Sequence, residues 1–253
     1  MFRKIMITVA LVVAATIICS AKGYAYRPLV TEDAGVAGKG VAQIEVSWDY
    51  FSWRGRDREN VLLFVPIYGI TERIELSAEI PYLFHSPAEG DGINGVGDIN
   101  LVAKFLILEE KDVRPAFALK GVVKTKSGDE KRGLGSGDID YSIVAAASKS
   151  LGDLTLHSML GYTFVGDSGD DNARNIYLYG LAADYGLTGK FHIVGEIAGN
   201  RHPDRRVRNE MVSGLLGVTY KVSDKITLDG ALRRGFSNSV PRWSTTLGMS
   251  ITF

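Results

Sequence analysis

Beyond residue 25 the chain contains no cysteine, since its single one, Cys19, lies in the apolar N-terminal stretch. Disulfides, thiolate nucleophiles and cysteine-ligated metals are therefore excluded from the rest of the protein. Histidine is scarce too. His85, His157, His192 and His202 show no metal-ligand spacing, so neither a metal nor a cofactor is expected. No apolar run after residue 18 is long enough to span a membrane as a helix, and no stretch sustains a helical apolar stripe. Excess charge is missing as well: 29 basic residues face 29 acidic ones. Without Arg3, Lys4 and Lys22 of the first 25 residues, 26 basic residues remain against 29 acidic, which argues against nucleic acid as a partner.

The opening MFRKIMITVALVVAATIICSAKGYA combines basic residues, a short apolar run and small residues at Gly23 and Ala25. It reads as a secretory signal peptide, residues 1–25, cleaved after Ala25. A retained anchor fits less well because the run is short for a spanning helix, and Ile18 disfavours lipoprotein processing at Cys19.

By length alone the remaining chain could be one large β domain or a two-domain α/β protein. Period-two alternation decides for all-β. It recurs in twelve segments, near 40–53, 59–69, 72–84, 96–108, 113–126, 136–150, 153–166, 174–186, 189–201, 207–221, 225–236 and 242–253. In the last, Leu247, Met249, Ile251 and Phe253 alternate with Thr246, Gly248, Ser250 and Thr252. These segments exceed the usual globular strand and match a tilted transmembrane strand of about nine to eleven residues. Tight links such as GITE and VSDK alternate with longer polar ones such as KSGDEKRGLGSG and NRHPDRRVRN. The expected fold is a closed antiparallel transmembrane β-barrel of about twelve strands, with short periplasmic turns and longer extracellular loops, in the bacterial outer membrane. Residues 26–38 form a periplasmic N-terminal segment in this reading and 39–253 the barrel. Whether 26–38 plugs the barrel is left open.

Two register expectations follow. A turn at Leu151 and Gly152 pairs the flanking strands so that Ile139, Tyr141, Ile143 and Ala145 share the outer face with Leu154, Leu156, Leu160 and Tyr162. A turn at EEKDV, 109–113, places Lys120 beside Asn100 or Val102 and Lys124 beside Val96 or Asp98. The second strand, VLLFVPIY, is apolar on both faces and its inner face cannot be assigned. Aromatics gather at strand ends, as two interfacial girdles would. The terminal Phe253 suits recognition by the barrel-assembly machinery, and outer-membrane lipid is the expected surround.

GVGDINL at 95–101 returns forty residues later as GSGDIDY at 135–141. A phosphate cradle requires a following helix, and alternation follows both copies instead. The repeat therefore marks equivalent rim positions on two strands, with Asp98 and Asp138 directed inward. A pair of gating carboxylates is the functional alternative.

Together with RPLVTEDAGVAGKGVAQIE (27–45), PYLF (81–84) and GYTFVGD (161–167), these motifs resemble the outer-membrane family named for the MetA pathway of phenol degradation. The resemblance covers most of the chain after the leader, and its motifs are short and glycine-rich. It implies a barrel that passes small compounds, aromatic or hydrophobic ones among them, and it brings no catalytic or binding residues with it.

The inner face carries Glu45, Asp49, Glu75, Glu79, Asp98, Asp138, Asp140, Asp184, Glu196 and Asp229, with Lys104, Lys120, Lys124, His157, His192 and Arg233. Lys104, Lys120, Lys124, Asp98, Asp138, Asp140, Glu75, Glu79 and Glu196 are the candidates for setting solute selectivity across a wet lumen. The same groups could instead pair and fill a narrow barrel. A channel or transporter for small solutes is the favoured function, with a filled structural barrel as its rival. An outer-membrane hydrolase is the third reading. Asp184 could face His192, but no nucleophile accompanies either lumen histidine, so no catalytic residue is assigned.

Overall fold

A computed structural model describes residues 27–54, 57–86, 92–166 and 172–253; the expected signal peptide lies outside the described residues. The alternating segments become β1 (Ala42–Ser52), β2 (Arg58–Thr71), β3 (Ile74–Ser86), β4 (Ile93–Val96), β5 (Asn100–Leu108), β6 (Ala116–Lys124), β7 (Asp140–Leu151), β8 (Leu154–Phe164), β9 (Ile176–Gly186), β10 (Phe191–Asn200), β11 (Met211–Lys221), β12 (Ile226–Gly235) and β13 (Trp243–Thr252). Apart from β4 and β5, which do not pair with each other, each strand pairs antiparallel with its sequence neighbours, and β1 pairs with both β2 and β13. The sheet is closed. β4 and β5 both pair with β3 and share one position in the wall, so thirteen strands make a twelve-stave barrel.

Alternation sorts the side chains as expected. On the outside Leu160, Leu181 and Leu216 are 70%, 67% and 67% exposed. Ile197 is paired with Leu181, Leu216 with Leu232, and Leu247 with Trp48, so the apolar belt is nearly continuous around the wall. Water would not tolerate such a belt, and lipid requires it. No helix among the described residues is long and apolar enough to cross a membrane; the strands do the crossing. Inside, small apolar residues such as Ala118, Ala146, Ala182 and Ala231 alternate with buried Glu45, Glu75, Lys104, Glu196 and Asp229. β2 resolves into Leu62, Phe64 and Tyr68 outward and Val61, Leu63, Val65 and Ile67 inward.

The fourth stave is broken where the first Gly-x-Gly-Asp copy lies. Residues 97–99 leave the ladder, and the register against β3 steps by one residue between Val96 and Asn100. Pro81 of β3 faces the break. It has no N–H to donate, so it can only accept, which it does from Gly97 N–H at 2.9 Å.

Both register expectations are corrected in detail. The β7–β8 turn is Gly152–Asp153, with Gly152 at φ +67°, so Leu151 pairs with Leu154 and every partner moves by two residues. A shift of two preserves which face each side chain occupies. Across the 109–115 link Lys120 is paired with Lys104, and Lys124 with Asn100. The reason is length. β5 runs on to Leu108 with an irregularity after Leu106, and the link closes on itself through Lys111 and Arg114, with Asp112 at φ +49°.

Residues 27–38, the described part of the N-terminal segment whose place was left open, run along the inner wall. An extended stretch has no backbone partners of its own, and the inner wall supplies them.

Candidate functional site

The strap formed by residues 27–41 enters at the turn end of the barrel. There Gly40 N–H donates to Gly69 O at 2.8 Å and Gly69 N–H to Val41 O at 2.9 Å. It then crosses the lumen on wall side chains. Ala37 N–H donates to Glu75 Oε2 at 2.7 Å, Ala34 N–H to Ser148 Oγ at 2.9 Å, and Val30 N–H to Glu196 Oε2 at 2.7 Å. Thr31 N–H donates to the same Glu196 oxygen. Arg27 ends the crossing beside Asp49 at 3.6 Å and Asp229 at 3.7 Å, donating to Thr246 Oγ1. Small apolar contacts pin both ends, Ala37 and Val41 against Val65 and Ile67, and Leu29 against Val194, Leu215 and Ala231. A Cβ on Gly180 would collide with Thr31, and one on Gly248 with Asp229 and Arg27. The wall is glycine where the strap passes closest.

Midway lies an ionic knot. Lys104 and Lys120 are directly paired on neighbouring strands, and two like charges so placed repel. Glu32 of the strap accepts from both, at 2.9 Å and 2.7 Å. Asp33 adds a bond to Lys104 at 3.2 Å and Glu79 one to Lys120 at 3.2 Å, while Glu75 is paired with Lys104 on the other side. Lys104 is 1% exposed. Glu79 also accepts from Asn100 at 2.8 Å, and Glu196 holds Arg233 at 2.8 Å.

The remaining candidates gather at the outer rim. Lys124 pairs with Asp140 at 2.7 Å and with Asp98 at 3.7 Å. Asp98 accepts from Gly128 N–H at 3.0 Å and Ser136 N–H at 2.8 Å, so it ties down the loop between β6 and β7. Asp140 accepts from Gly166 N–H at 2.8 Å. Asp138 is half-buried, and its backbone joins Ser136. The two motif copies thus meet: a Cβ on Gly135 of the second would strike Asp98 of the first. At the opposite end Glu110 accepts from Lys149 at 2.6 Å and Ser150 N–H at 2.9 Å, which together hold its carboxyl below the usual range.

Arg27, Glu32 and Asp33 were absent from the expected site. Their signal was indirect: three inward lysines on adjacent strands lacked enough acids on their own hairpin. The expected His192–Asp184 pair forms, at 2.6 Å. His157 does gain a hydroxyl, Ser148 Oγ at 2.9 Å, but that oxygen already accepts from Ala34 N–H and serves the strap. Among the described residues no group of three or more His, Cys, Asp and Glu could hold a metal.

Two cavities flank the strap. The outer one, about 520 Å³, is lined by Pro28, Val30 and Glu32 of the strap, by Val61, Leu63, Val65 and Ile67 of β2, and by Lys104, Lys120 and Glu79. The inner one, about 820 Å³, is lined by Thr31, Asp33 and Ala34 of the strap, with Ser148, His157, Asp184 and His192. From Val30 to Asp33 successive strap residues face opposite compartments, while Arg27 and Leu29 line both.

The family described as "Putative MetA-pathway of phenol degradation" matches residues 25–253. The chain belongs to that family. No curated protein matches it. Among solved structures it is similar to an outer membrane channel from Pseudomonas putida F1, at a TM-score of 0.72 and 15% identity, over 89% of this chain and 100% of that one. It is also similar to the NanC porin, at a TM-score of 0.58 and 15% identity over 82% and 98% of the two chains. The KdgM porin gives 0.57 and 10% over 83% and 99%. Such identities establish the shared barrel. With the apolar belt and the family, they make this a bacterial outer-membrane β-barrel.

Proposed function

We propose that the barrel is a channel for small amphipathic solutes, aromatic compounds among them, and that the strap sets its resting state. The observation that carries this reading is the outer cavity, whose β2 wall is apolar while the wall at β5 and β6 is ionic. A solute with one apolar face and one polar group satisfies both sides, and about 520 Å³ lies within the usual range for small-molecule sites. A simple filled barrel would have no need of two cavities. Lys104, Lys120, Glu75 and Glu196 act here by holding the strap, with Glu79 positioning Lys120, and all five become the selectivity-setting charges when it moves. Lys124, Asp98, Asp138 and Asp140 shape the mouth.

The test is flux into proteoliposomes and conductance in planar bilayers, comparing the parent with a variant lacking residues 27–36. The parent is expected to pass little and the shortened protein markedly more, with phenol-sized solutes ahead of sugars. No flux through either protein would overturn the channel reading. Flux indifferent to solute polarity would overturn the amphipathic preference alone.

A further inference from the structure

The outer links 172–175 and 201–210 stand above β9 and β10 and are tied to each other. Arg174 N–H donates to Pro203 O at 3.0 Å, Arg205 N–H to Asn172 O at 2.8 Å, and Arg201 N–H to Tyr177 O at 2.9 Å. A bridge between Ala173 and Asp204 completes the extension, so these side chains project from fixed backbone. Arg174 Nε donates to His202 O at 2.8 Å and its Nη2 to Val207 O at 2.9 Å. Arg205 Nε donates to Ala173 O at 3.1 Å. The Arg201 guanidinium lies 5.7 Å from the centre of the Tyr177 ring. All these acceptors are neutral. Arg206 differs, because Asp204 takes its guanidinium in a two-pronged pair that holds the carboxyl at about 2. Glu210 is likewise engaged, accepting from Tyr177 and Tyr179 hydroxyls.

Arg174, Arg201 and Arg205 line one cavity of about 430 Å³ with Tyr162 and Asn175. Tyr162 and Tyr177 are register partners on the lipid-facing side of the wall, 39% and 38% exposed. The cavity therefore opens outside the barrel, just above the aromatic girdle, at the depth of lipid headgroups rather than into the lumen. We propose that it binds the phosphorylated headgroup of an outer-leaflet glycolipid. Guanidinium forks match phosphate oxygens in pairs, and three of them converge here while Glu210, the described acid that Arg201 faces, supplies one negative charge, so the described lining stays positive for a dianion. The tyrosines beneath sit where the lipid changes from headgroup to acyl chain.

The experiment titrates the purified full-length barrel in detergent with lipopolysaccharide, with phosphatase-treated lipopolysaccharide and with inorganic phosphate, followed by native mass spectrometry. The parent is expected to bind intact lipopolysaccharide. Arg201→Ala with Arg205→Ala should bind it about thirtyfold less tightly, as loss of two surface guanidiniums implies, whereas Arg206→Ala should match the parent. If the double variant fails to give the folded band on unboiled gels, Arg201→Gln alone is expected to show about fivefold weakening. Equal binding of the phosphatase-treated lipid, or parent-like binding by a folded variant, would overturn the proposal. Inorganic phosphate binding as tightly as the lipid would make this a site for the free anion and overturn the lipid assignment. None of these outcomes bears on whether the lumen conducts.

Discussion

Lys104 and Lys120 stand opposite each other inside the wall, and Glu32, carried by a different segment, touches both. Glu32→Gln leaves the two ammonium groups facing each other with weaker compensation, and breaking buried ionic contacts costs about 3–5 kcal/mol. The strap has less than the wall to hold it, so the strain should release there. A nitroxide on Val30→Cys, a unique thiol once residues 1–25 are removed, is expected to report a mobile strap in Glu32→Gln and an immobile one in the parent. Equal mobility would mean the knot does not anchor the strap. Lys120→Glu should act in the same direction, setting three acids together at Glu32, Glu79 and position 120. It should shift reversal potential towards cations only if conductance also rises. The lipid face obeys different physics. Leu181→Arg should destabilise by about 2–4 kcal/mol near the bilayer midplane, and Thr219→Arg, which lines the inner cavity, should cost clearly less in the same vesicle unfolding assay. Ala182 is no substitute for Thr219 in that comparison, because it is 6% exposed inside the wall and an arginine there would displace its surroundings.

At the scale of elements, β9 and the strap are fitted to each other at Gly180. Its missing Cβ is what allows Thr31 to lie against the wall. Gly180→Val is expected to expel the strap while leaving the barrel folded, giving higher conductance than the parent and unchanged heat-modifiable migration. A variant as quiet as the parent would show that the strap can shift without opening a path. The broken fourth stave has a local cause as well. Pro81 supplies an acceptor and no donor, so the ladder there steps by one residue and frees Asp98 to bind the loop between β6 and β7. The repeated Gly-x-Gly-Asp motif is thereby explained by close approach between its two copies rather than by a ligand.

For the molecule as a whole, closure is the governing fact. With β1 bonded to both β2 and β13 the sheet closes on itself, so that among the described strands only the four-residue β4 keeps a free edge, and the apolar belt binds detergent in place of lipid. An unboiled sample should therefore migrate differently from a boiled one in detergent gels. Identical migration, together with solubility free of detergent, would be incompatible with this barrel.

Strand number, closure, the sidedness of Leu181 or Leu247 and the alternation of short and long links were all legible in the sequence. Each rests on local periodicity and on the fact that lipid accepts only closed sheets. Residue faces survived even where the β7–β8 turn was misplaced, because the error was an even number of residues. The Lys104–Lys120 pairing was not legible, since the link at 109–115 closes its own small turn and β5 carries an irregularity after Leu106, and alternation specifies neither. Nor was the course of the strap. RPLVTEDAGVAGKG has no period and buries little apolar surface, so nothing local says whether it stays in the periplasm or enters the lumen. Only closure of the wall brings Lys104, Lys120, Glu196 and Ser148 around one axis. The unpaired backbone and two acids of the strap can meet their partners only there.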